Sequence, residues 1–273
     1  MDKPLFFDFN RKNKFPVCLK NRNKKRVKKK LKFKSILIVT YGRSGSTLLQ
    51  GVLNSIEGCL IRGENFNFIY HLFKSHEAIK SAKNKGGDTP QKAWYGSQLL
   101  DGEYFIKVNR ELLKKLLLAD DFKNANISCY GFKEIRYIDI MDNLFEYLDF
   151  LKKIFPDVAF IFNFRNKNEV AKSDWWENEN KKEVKEKLKR FERKCSEYMK
   201  VNHGRCFLIK YEDLVYKKKK LKDMFEFLGA EYIDSKIDHI LSLPHSYNPK
   251  QKHVKDLFGR YNKMKEFKSS PKK

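Results

Sequence analysis

The sequence contains no long apolar run. None of its apolar segments approaches the roughly 20 residues that a membrane-spanning helix needs. The amino-terminal stretch PLFFDF is too short for the apolar part of a secretory leader, and it contains an aspartate. We therefore expect a cytoplasmic protein, with peripheral membrane contact left open.

Cysteine is scarce as well. The chain has five cysteines, which are widely separated and odd in number, and no pair has the spacing of a metal-binding motif. This pattern is typical of reduced cysteines that fill a core. The sequence predicts neither a disulfide framework nor a metal site.

Acidic residues are greatly outnumbered. The chain has 59 Lys and Arg against 34 Asp and Glu, a net charge of +25. Residues 1–34 hold 14 of the basic and two of the acidic residues, or +12. Such a charge predicts anionic partners: nucleic acid, a membrane surface, an acidic glycan or a phosphate-rich cofactor. We interpret residues 1–34 as a basic arm, either a solvated tail or a contact for an anionic membrane surface, and residues 35–273 as one domain.

Short apolar runs recur along the chain without polar alternation, which is typical of strands covered on both faces. They predict strands at Ser35–Thr40, Ile127–Lys133, Val158–Phe164 and Cys206–Tyr211. Ile106 and Val108 belong either to a fifth strand or to the start of the next helix. Periodic apolar positions predict helices at Ser46–Ser55, Glu111–Ala119, Ile138–Ile154, Asn168–Trp176, Lys182–Met199 and Leu221–Leu228. The alternation predicts an α/β three-layer sandwich around a mostly parallel sheet of four to five strands.

The sequence YGRSGST lies between the first predicted strand and the first predicted helix. A helix N-terminus offers free backbone N–H groups and partial positive charge to an anion. Gly42 and Gly45 allow close approach, Arg43 adds a forked cation, and Ser46 and Thr47 add hydroxyls. The loop is shorter than the nucleotide motif GxxxxGK[ST] and lacks its lysine, and no strand ends in an aspartate suited to Mg²⁺. The pattern favours a phosphate-like ligand over an ordinary glycine-containing turn.

Three segments resemble those of sulfotransferases that use 3′-phosphoadenosine 5′-phosphosulfate (PAPS). YGRSGSTLLQGVLNS resembles the 5′-phosphosulfate loop, and FIFNFRNKNEVAKSDWW resembles the 3′-phosphate motif, with Arg165 and Ser173 eight residues apart. LIKYEDL, followed by FEFLGAE, resembles a late strand and helix. The matches follow in the family's order over most of residues 35–230. The resemblance implies a P-loop-NTPase-like fold, PAPS that leaves as PAP, a hydroxyl acceptor and no metal requirement.

The resemblance also implies contacts with the donor. Arg43, Ser44, Gly45, Ser46 and Thr47 are expected to bind its 5′-phosphate and sulfuryl end. The strand–helix unit that holds Arg165 and Ser173 is expected to bind its 3′-phosphate. In HSYNPKQKHVK, Lys250 and Lys252 are expected to close the donor site; a solvated basic tail is the alternative.

A glutamate in a similar GE context is the base in tyrosylprotein and several carbohydrate sulfotransferases, and this resemblance implies Glu64 as base. The alternative is a surface or helix-capping glutamate. Lys133 resembles a lysine that contacts the sulfuryl group; pairing with Glu64 or Glu134 is its alternative. Glu134 and Arg136 are expected to bind acceptor or to pair.

Two further features leave alternatives open. Cytosolic-type sulfotransferases often use a histidine base, which makes His71 and His245 candidates. Trp175 and Trp176 either line an acceptor cleft or pack in the core.

Two other functions compete with sulfuryl transfer. The charge of +25 motivates a nucleic-acid-binding protein, although the aromatic residues lie within apolar runs rather than among the basic ones. A small-molecule kinase on a degenerate P-loop is the other, but ATP has no 3′-phosphate to occupy the second motif. For a sulfotransferase we expect a saccharide or glycolipid acceptor, with a protein tyrosine or small alcohol left open, and no specific nucleic-acid partner.

Overall fold

A computed structural model of the chain describes residues 30–119, 126–216 and 218–243. Its strands form one sheet in which every pairing is parallel, in the order β2-β3-β1-β4-β5. The strands are β1 Ser35–Val39, β2 Cys59–Arg62, β3 Cys129–Glu134, β4 Val158–Phe164 and β5 Cys206–Lys210. The predicted α/β class and the central parallel sheet are confirmed.

Helices cover both faces of the sheet. They are α1 Ser46–Asn54, α2 Phe68–Lys85, α3 Gly102–Leu118, α4 Leu144–Ile154, α5 Lys167–Ala171, α6 Lys181–Val201, α7 Tyr211–Tyr216, α8 Lys218–Leu228 and α9 Asp234–Ser242. Short 3₁₀ helices lie at Ser97–Leu99, Arg136–Asn143, Asp174–Trp176 and His203–Arg205. None of the described helices has the length and hydropathy of a membrane span.

Strand β4 shows how the sheet divides the core into two layers. Its even-numbered phenylalanines face a cluster built from α2, α3, α4, α5 and α6. Ala159 and Ile161 face the opposite cluster, to which α1, α8 and α9 contribute. All seven residues of β4 are buried, as expected of a strand covered on both faces. Burial of both faces therefore produces the three layers.

The sequence patterns missed or misplaced several elements. The fifth strand is Cys59–Arg62, and Ile106 and Val108 lie inside α3, as the helix alternative predicted. This edge strand has four residues, two of them only half-buried, which leaves too little pattern to detect. Helix α2 was not predicted, because only three of its 18 residues are buried, and so its apolar pattern is weak. Helices α7 and α9 are short and were also missed.

Two predicted helices are interrupted. The segment predicted as Ile138–Ile154 begins as a 3₁₀ helix with non-helical dihedral angles at Ile140, and α4 starts only at Leu144. The segment predicted as Asn168–Trp176 divides into α5 and a 3₁₀ turn. By contrast, α8 ends where expected, because Gly229 adopts the left-handed conformation (φ 71°) that terminates helices.

The described end of the predicted basic arm lies against the domain. The Lys32 N–H donates to the Leu228 carbonyl, and the Phe33 ring lies 5.1 Å from that of Phe227. Lys34 pairs with Asp157 at 3.2 Å. These contacts attach the segment that precedes β1 to the α8 side of the sheet.

Candidate active site

All five strands end at one edge of the sheet, because they are parallel and in register. The predicted site residues follow these ends: Arg43 after β1, Glu64 after β2, Lys133 within the end of β3, and Arg165 after β4. Helix α1 after β1 packs on one face of the sheet, and α5 after β4 packs on the other. In open parallel sheets, ligands bind in the crevice that opens where the helices after two neighbouring strands lie on opposite faces of the sheet.

Buried hydroxyl groups hold the loop between β1 and α1 in place. The Thr40 hydroxyl lies 2.7 Å from the Ser44 hydroxyl and 2.7 Å from the carbonyl of Asn163 on β4. Ser44 is fully buried, so its side chain stabilises the loop rather than projecting from it. Arg43 has φ 67°, unusual for a residue with a Cβ, and its side chain is exposed. The loop thus presents Arg43 outwards at the edge of the sheet.

Helix α1 begins at this loop without a side-chain cap. Gly45 occupies the N-cap position with φ 80°, and among the described residues no side chain caps the helix there. The first turn carries no acidic residue. Ser46 is buried and Thr47 is exposed. Uncapped N–H groups at a helix start, next to an exposed arginine, suit an anion such as phosphate or sulfate.

Tyr211 joins the two predicted donor-binding motifs. A Cβ built on Gly45 would lie 2.2 Å from Cδ2 of Tyr211, so only glycine fits beside this ring. The guanidinium carbon of Arg165 lies 4.4 Å from the centre of the same ring, a cation–π distance. The tyrosine ring therefore packs against the start of α1 and positions the arginine.

Tyr41 makes a second connection between the motifs. Its hydroxyl accepts the N–H of Arg165 at 2.9 Å and donates to the Glu192 carboxylate at 2.8 Å. Burial, with the nearby Glu192 carboxylate, raises the pKa of Tyr41, so the hydroxyl keeps its proton. Arg165 also donates to the Arg43 carbonyl at 3.2 Å, while its Nε is buried without a partner in the described part of the chain. An unpaired buried donor beside an anion cradle suits a ligand oxygen.

The second half of the 3′-phosphate motif lies on the turn after α5. The Ser173 hydroxyl donates to the Val170 carbonyl at 2.7 Å. Trp176 is buried in the core, as its packing alternative predicted. Trp175 is 49% exposed and lies against Gly42, 3.4 Å from a Cβ built there. One tryptophan therefore packs in the core and the other flanks the anion loop.

Glu64 and Lys133 form an ion pair. The Lys133 ammonium donates to Glu64 Oε1 at 2.5 Å, and Arg136 lies 3.6 Å from Glu64 Oε2. The Lys133 side chain is almost fully buried, whereas that of Glu64 is one-third exposed. The pair offers a carboxylate to solvent and holds a cation directly behind it.

Glu134, by contrast, is an internal anchor. It is fully buried, and its Oε2 accepts the N–H groups of Asn65 and Asn67. Its Oε1 accepts the N–H groups of Ile135 and Arg136 and pairs with the Arg136 guanidinium at 2.9 Å. The expected ion pair with Arg136 is present. With both carboxylate oxygens occupied, Glu134 is placed to hold two loops together rather than to accept a proton.

The remaining predicted residues are distributed as follows. His71 is exposed on α2, and His245, Lys250 and Lys252 lie outside the described residues. Within the described ranges, no group of three or more His, Cys, Asp or Glu residues is arranged to hold a metal ion.

Sequence patterns did not single out Tyr41, Tyr211 or Phe66. Both tyrosines lie inside the quoted motifs, which is a usable signal, although Tyr41 contacts Arg165 and Tyr211 contacts Gly45, each more than 120 residues away along the chain. No local signal marks Phe66, because its unusual features are a left-handed backbone conformation (φ 56°) and a contact with Arg136, 70 residues further along the chain.

The fold is an α/β sandwich around a parallel sheet, and the uncapped start of α1 beside the exposed Arg43 suits an anionic ligand. The model of the Sulfotransferase family matches residues 35–234. The chain therefore belongs to the sulfotransferase family, and the predicted class, a PAPS-dependent sulfotransferase, is confirmed.

Two solved structures are similar to the chain. One is the sulfotransferase domain of the Synechococcus PCC 7002 olefin synthase, with 18% identity, 83% of this chain and 85% of that chain covered, and a TM-score of 0.48. The other is retinol dehydratase in a complex with retinol and PAP, with 14% identity, 78% and 65% covered, and a TM-score of 0.32. No curated protein sequence matches the chain significantly.

Proposed function

We propose that this sulfotransferase transfers the sulfuryl group of PAPS to a saccharide or glycolipid hydroxyl, with Glu64 as base. The observation that carries the proposal is the open Glu64 carboxylate backed by the buried Lys133 ammonium, at the same sheet edge as the uncapped start of α1. Transfer to a hydroxyl needs a proton acceptor and cations for the group in flight, and these residues supply both.

The donor-binding residues would divide the anion between two segments. PAPS supplies an activated sulfuryl group and a PAP leaving group. Arg43 and the N–H groups of Gly45, Ser46 and Thr47 would hold the 5′-phosphate, where charge develops as the S–O bond breaks. Arg165 and Ser173 would hold the 3′-phosphate. Support comes from the buried, unpaired Nε of Arg165.

On the acceptor side, Glu64 would remove the hydroxyl proton while the acceptor oxygen bonds to sulfur. Lys133 would keep the carboxylate oriented and contact the sulfuryl oxygens. In this proposal Arg43 and Lys133 carry the positive charge that a metal would otherwise supply. The basic arm would keep the protein at an anionic membrane surface on the cytoplasmic side, which suits a glycolipid acceptor.

The test is release of PAP from PAPS and transfer of labelled sulfuryl to saccharide hydroxyls, measured with and without EDTA. We expect turnover that EDTA leaves nearly intact. Turnover that EDTA abolishes and Mg²⁺ restores would contradict the mechanism. Transfer that depends on ATP rather than PAPS would also contradict it and support the kinase hypothesis.

A further inference from the structure

The loop that follows β2 departs from ordinary backbone geometry. Phe66 and Asn67 both have φ 56°, the left-handed region that side chains with a Cβ rarely adopt, bulky ones least of all. The Phe66 side chain is 60% exposed. Both polar atoms of the Asn65 side chain are buried without a hydrogen-bond partner in the described ranges. The positive φ of Phe66 and the unpaired buried amide of Asn65 each oppose folding, and such local costs cluster at functional sites.

Glu134 holds this loop in its strained shape. Its Oε2 accepts the N–H of Asn65 at 3.0 Å and the N–H of Asn67 at 2.9 Å, the residues on either side of Phe66. The buried carboxylate thus braces the backbone from inside the domain, while the phenyl ring remains outside.

Arg136 links the phenyl ring to the proposed base. The Arg136 guanidinium carbon is 4.6 Å from the ring centre, and the same guanidinium is 3.6 Å from Glu64 Oε2. Arg136 also pairs with Glu134, so its position is fixed by a buried partner. A fixed cation therefore contacts an exposed aromatic ring on one side and lies 3.6 Å from the proposed base on another.

We infer that Phe66 is the acceptor platform, against which a pyranose ring packs its C–H face while a hydroxyl reaches Glu64. The inference rests on the proposed function and names the residue that selects the acceptor. Flat aromatic rings suit the apolar face of a sugar ring, and hydroxyls at the rim find partners in Arg136 and Glu64. An acyclic polyol has the same hydroxyls but no such face.

The experiment uses Phe66→Gly, which removes the ring and also relieves the strain, because glycine adopts φ 56° readily. Octyl β-glucopyranoside is the cyclic probe and sorbitol the acyclic one. We expect kcat/KM for the glucoside to fall about tenfold, mainly through KM, with the low rate on sorbitol unchanged. The Tm should stay equal or rise, and Phe66→Tyr should keep the wild-type preference. Tyr95→Ala, which removes an exposed aromatic from the loop after α2, is the matched control and should change neither rate.

Each other outcome overturns the inference. An unchanged kcat/KM for the glucoside in Phe66→Gly would exclude the platform. A lower Tm, with both probes affected equally, would make Phe66 a structural residue. A wild-type protein that sulfates neither probe would exclude the pyranose. PAP binding measured by calorimetry separates these failures from that of the proposed function, because Phe66 does not touch the donor site in this proposal.

Discussion

The Lys133 ammonium lies 2.5 Å from the Glu64 carboxylate, and the two groups differ sharply in exposure. The lysine side chain is 7% exposed and the glutamate 33%. A buried cation next to an open carboxylate can hold that carboxylate in one orientation without covering it. The arrangement separates an orienting cation from a proton acceptor that an incoming hydroxyl can reach.

We expect Glu64→Gln to lower turnover about a hundredfold or more, the usual range for loss of a general base. The amide oxygen can still accept from Lys133, so stability should change little, and PAP affinity should be kept because this residue faces the acceptor. The measurement is the rate of sulfuryl transfer from labelled PAPS, with PAP binding by calorimetry. A near-normal rate would exclude Glu64 as base and make His71→Asn and His245→Asn the next variants to assay.

The matched carboxylate variant is Glu134→Gln. Its amide cannot accept all the N–H groups that the carboxylate accepts, and it loses the charge that pairs with Arg136. We expect a loss of about 1–3 kcal/mol in the free energy of unfolding. If Glu134→Gln stopped turnover with no change in Tm, the base would be assigned to the wrong glutamate.

Arg43 allows a test that separates strain from binding. The backbone of Arg43 has φ 67°, which glycine adopts without strain and alanine does not. Arg43→Gly therefore removes both the side chain and the backbone strain, whereas Arg43→Ala removes only the side chain. We expect Arg43→Gly to be more stable than Arg43→Ala by about 1 kcal/mol, with PAP affinity lower by about tenfold or more in both. Thermal unfolding and calorimetry check both expectations. Wild-type PAP affinity in either variant would remove Arg43 from the donor site.

Arg165 should distinguish PAP from ADP. In the wild-type protein we expect PAP to raise the Tm much more than ADP does, because only PAP carries a 3′-phosphate. Arg165→Ala should reduce the shift with PAP toward the shift with ADP. Lys172→Ala is the control, since it removes an exposed charge next to Ser173 that pairs with Glu169 on the surface. Equal shifts with the two ligands in the wild-type protein would contradict the assignment of Arg165 and Ser173.

Sequence patterns predicted the sheet well where strands are fully buried. Val158–Phe164 was predicted with its observed bounds, because seven consecutive buried positions leave a continuous apolar run. The edge strand Cys59–Arg62 was missed, because four residues that end in an arginine leave too short an apolar run to detect. The α/β class followed from the alternation of predicted strands and helices. The strand order could not be read from the sequence, because it depends on which strands pair.

Candidate site residues could be proposed from the sequence where the chemistry lies within a short segment. The anion loop and the Arg165–Ser173 spacing were visible in the sequence, and so was Glu64 through its GE context. Long-range hydrogen-bond partners could not be predicted, because no local sequence pattern relates Glu134 to the N–H groups of Asn65 and Asn67. The choice between Glu64 and Glu134 as base, open in the sequence, depends on burial and hydrogen bonds that only the fold creates.

Stability should fall at mildly acidic pH because of His76. Burial lowers its pKa below the ordinary 6.5, and nearby Lys153 adds to the effect while Glu77 opposes it. As the pH falls through 6.5, the unfolded chain binds a proton that the folded protein does not, so the free energy of unfolding decreases. His76→Phe, in a site that already contains Phe105 and Phe150, should show a smaller Tm decrease between about pH 7.5 and 5.5. Equal decreases in both proteins would contradict the assignment.

The contact between Gly45 and Tyr211 gives a test of how the donor site is assembled. Gly45→Ala places a Cβ 2.2 Å from Tyr211 Cδ2 and forces alanine to φ 80°. We expect overpacking to cost about 1–3 kcal/mol and the backbone strain about 1–2 kcal/mol. Tyr211→Ala removes the overpacking but not the backbone strain. In a protein that carries Tyr211→Ala, Gly45→Ala should therefore cost about 1 kcal/mol or more less in the free energy of unfolding than in the wild-type protein.

Tyr211→Ala alone should also weaken PAP binding more than ADP binding, because Arg165 loses the ring 4.4 Å from its guanidinium. Tyr216→Ala, an exposed tyrosine at the end of α7, is the matched control and should leave both affinities unchanged. Chemical denaturation of the two single variants and the double variant gives the coupling free energy, and calorimetry gives the affinities. Strictly additive stabilities would show that Tyr211 does not constrain Gly45. Equal losses of PAP and ADP affinity would show that the ring supports the 5′-phosphate loop rather than the arginine of the 3′-phosphate motif.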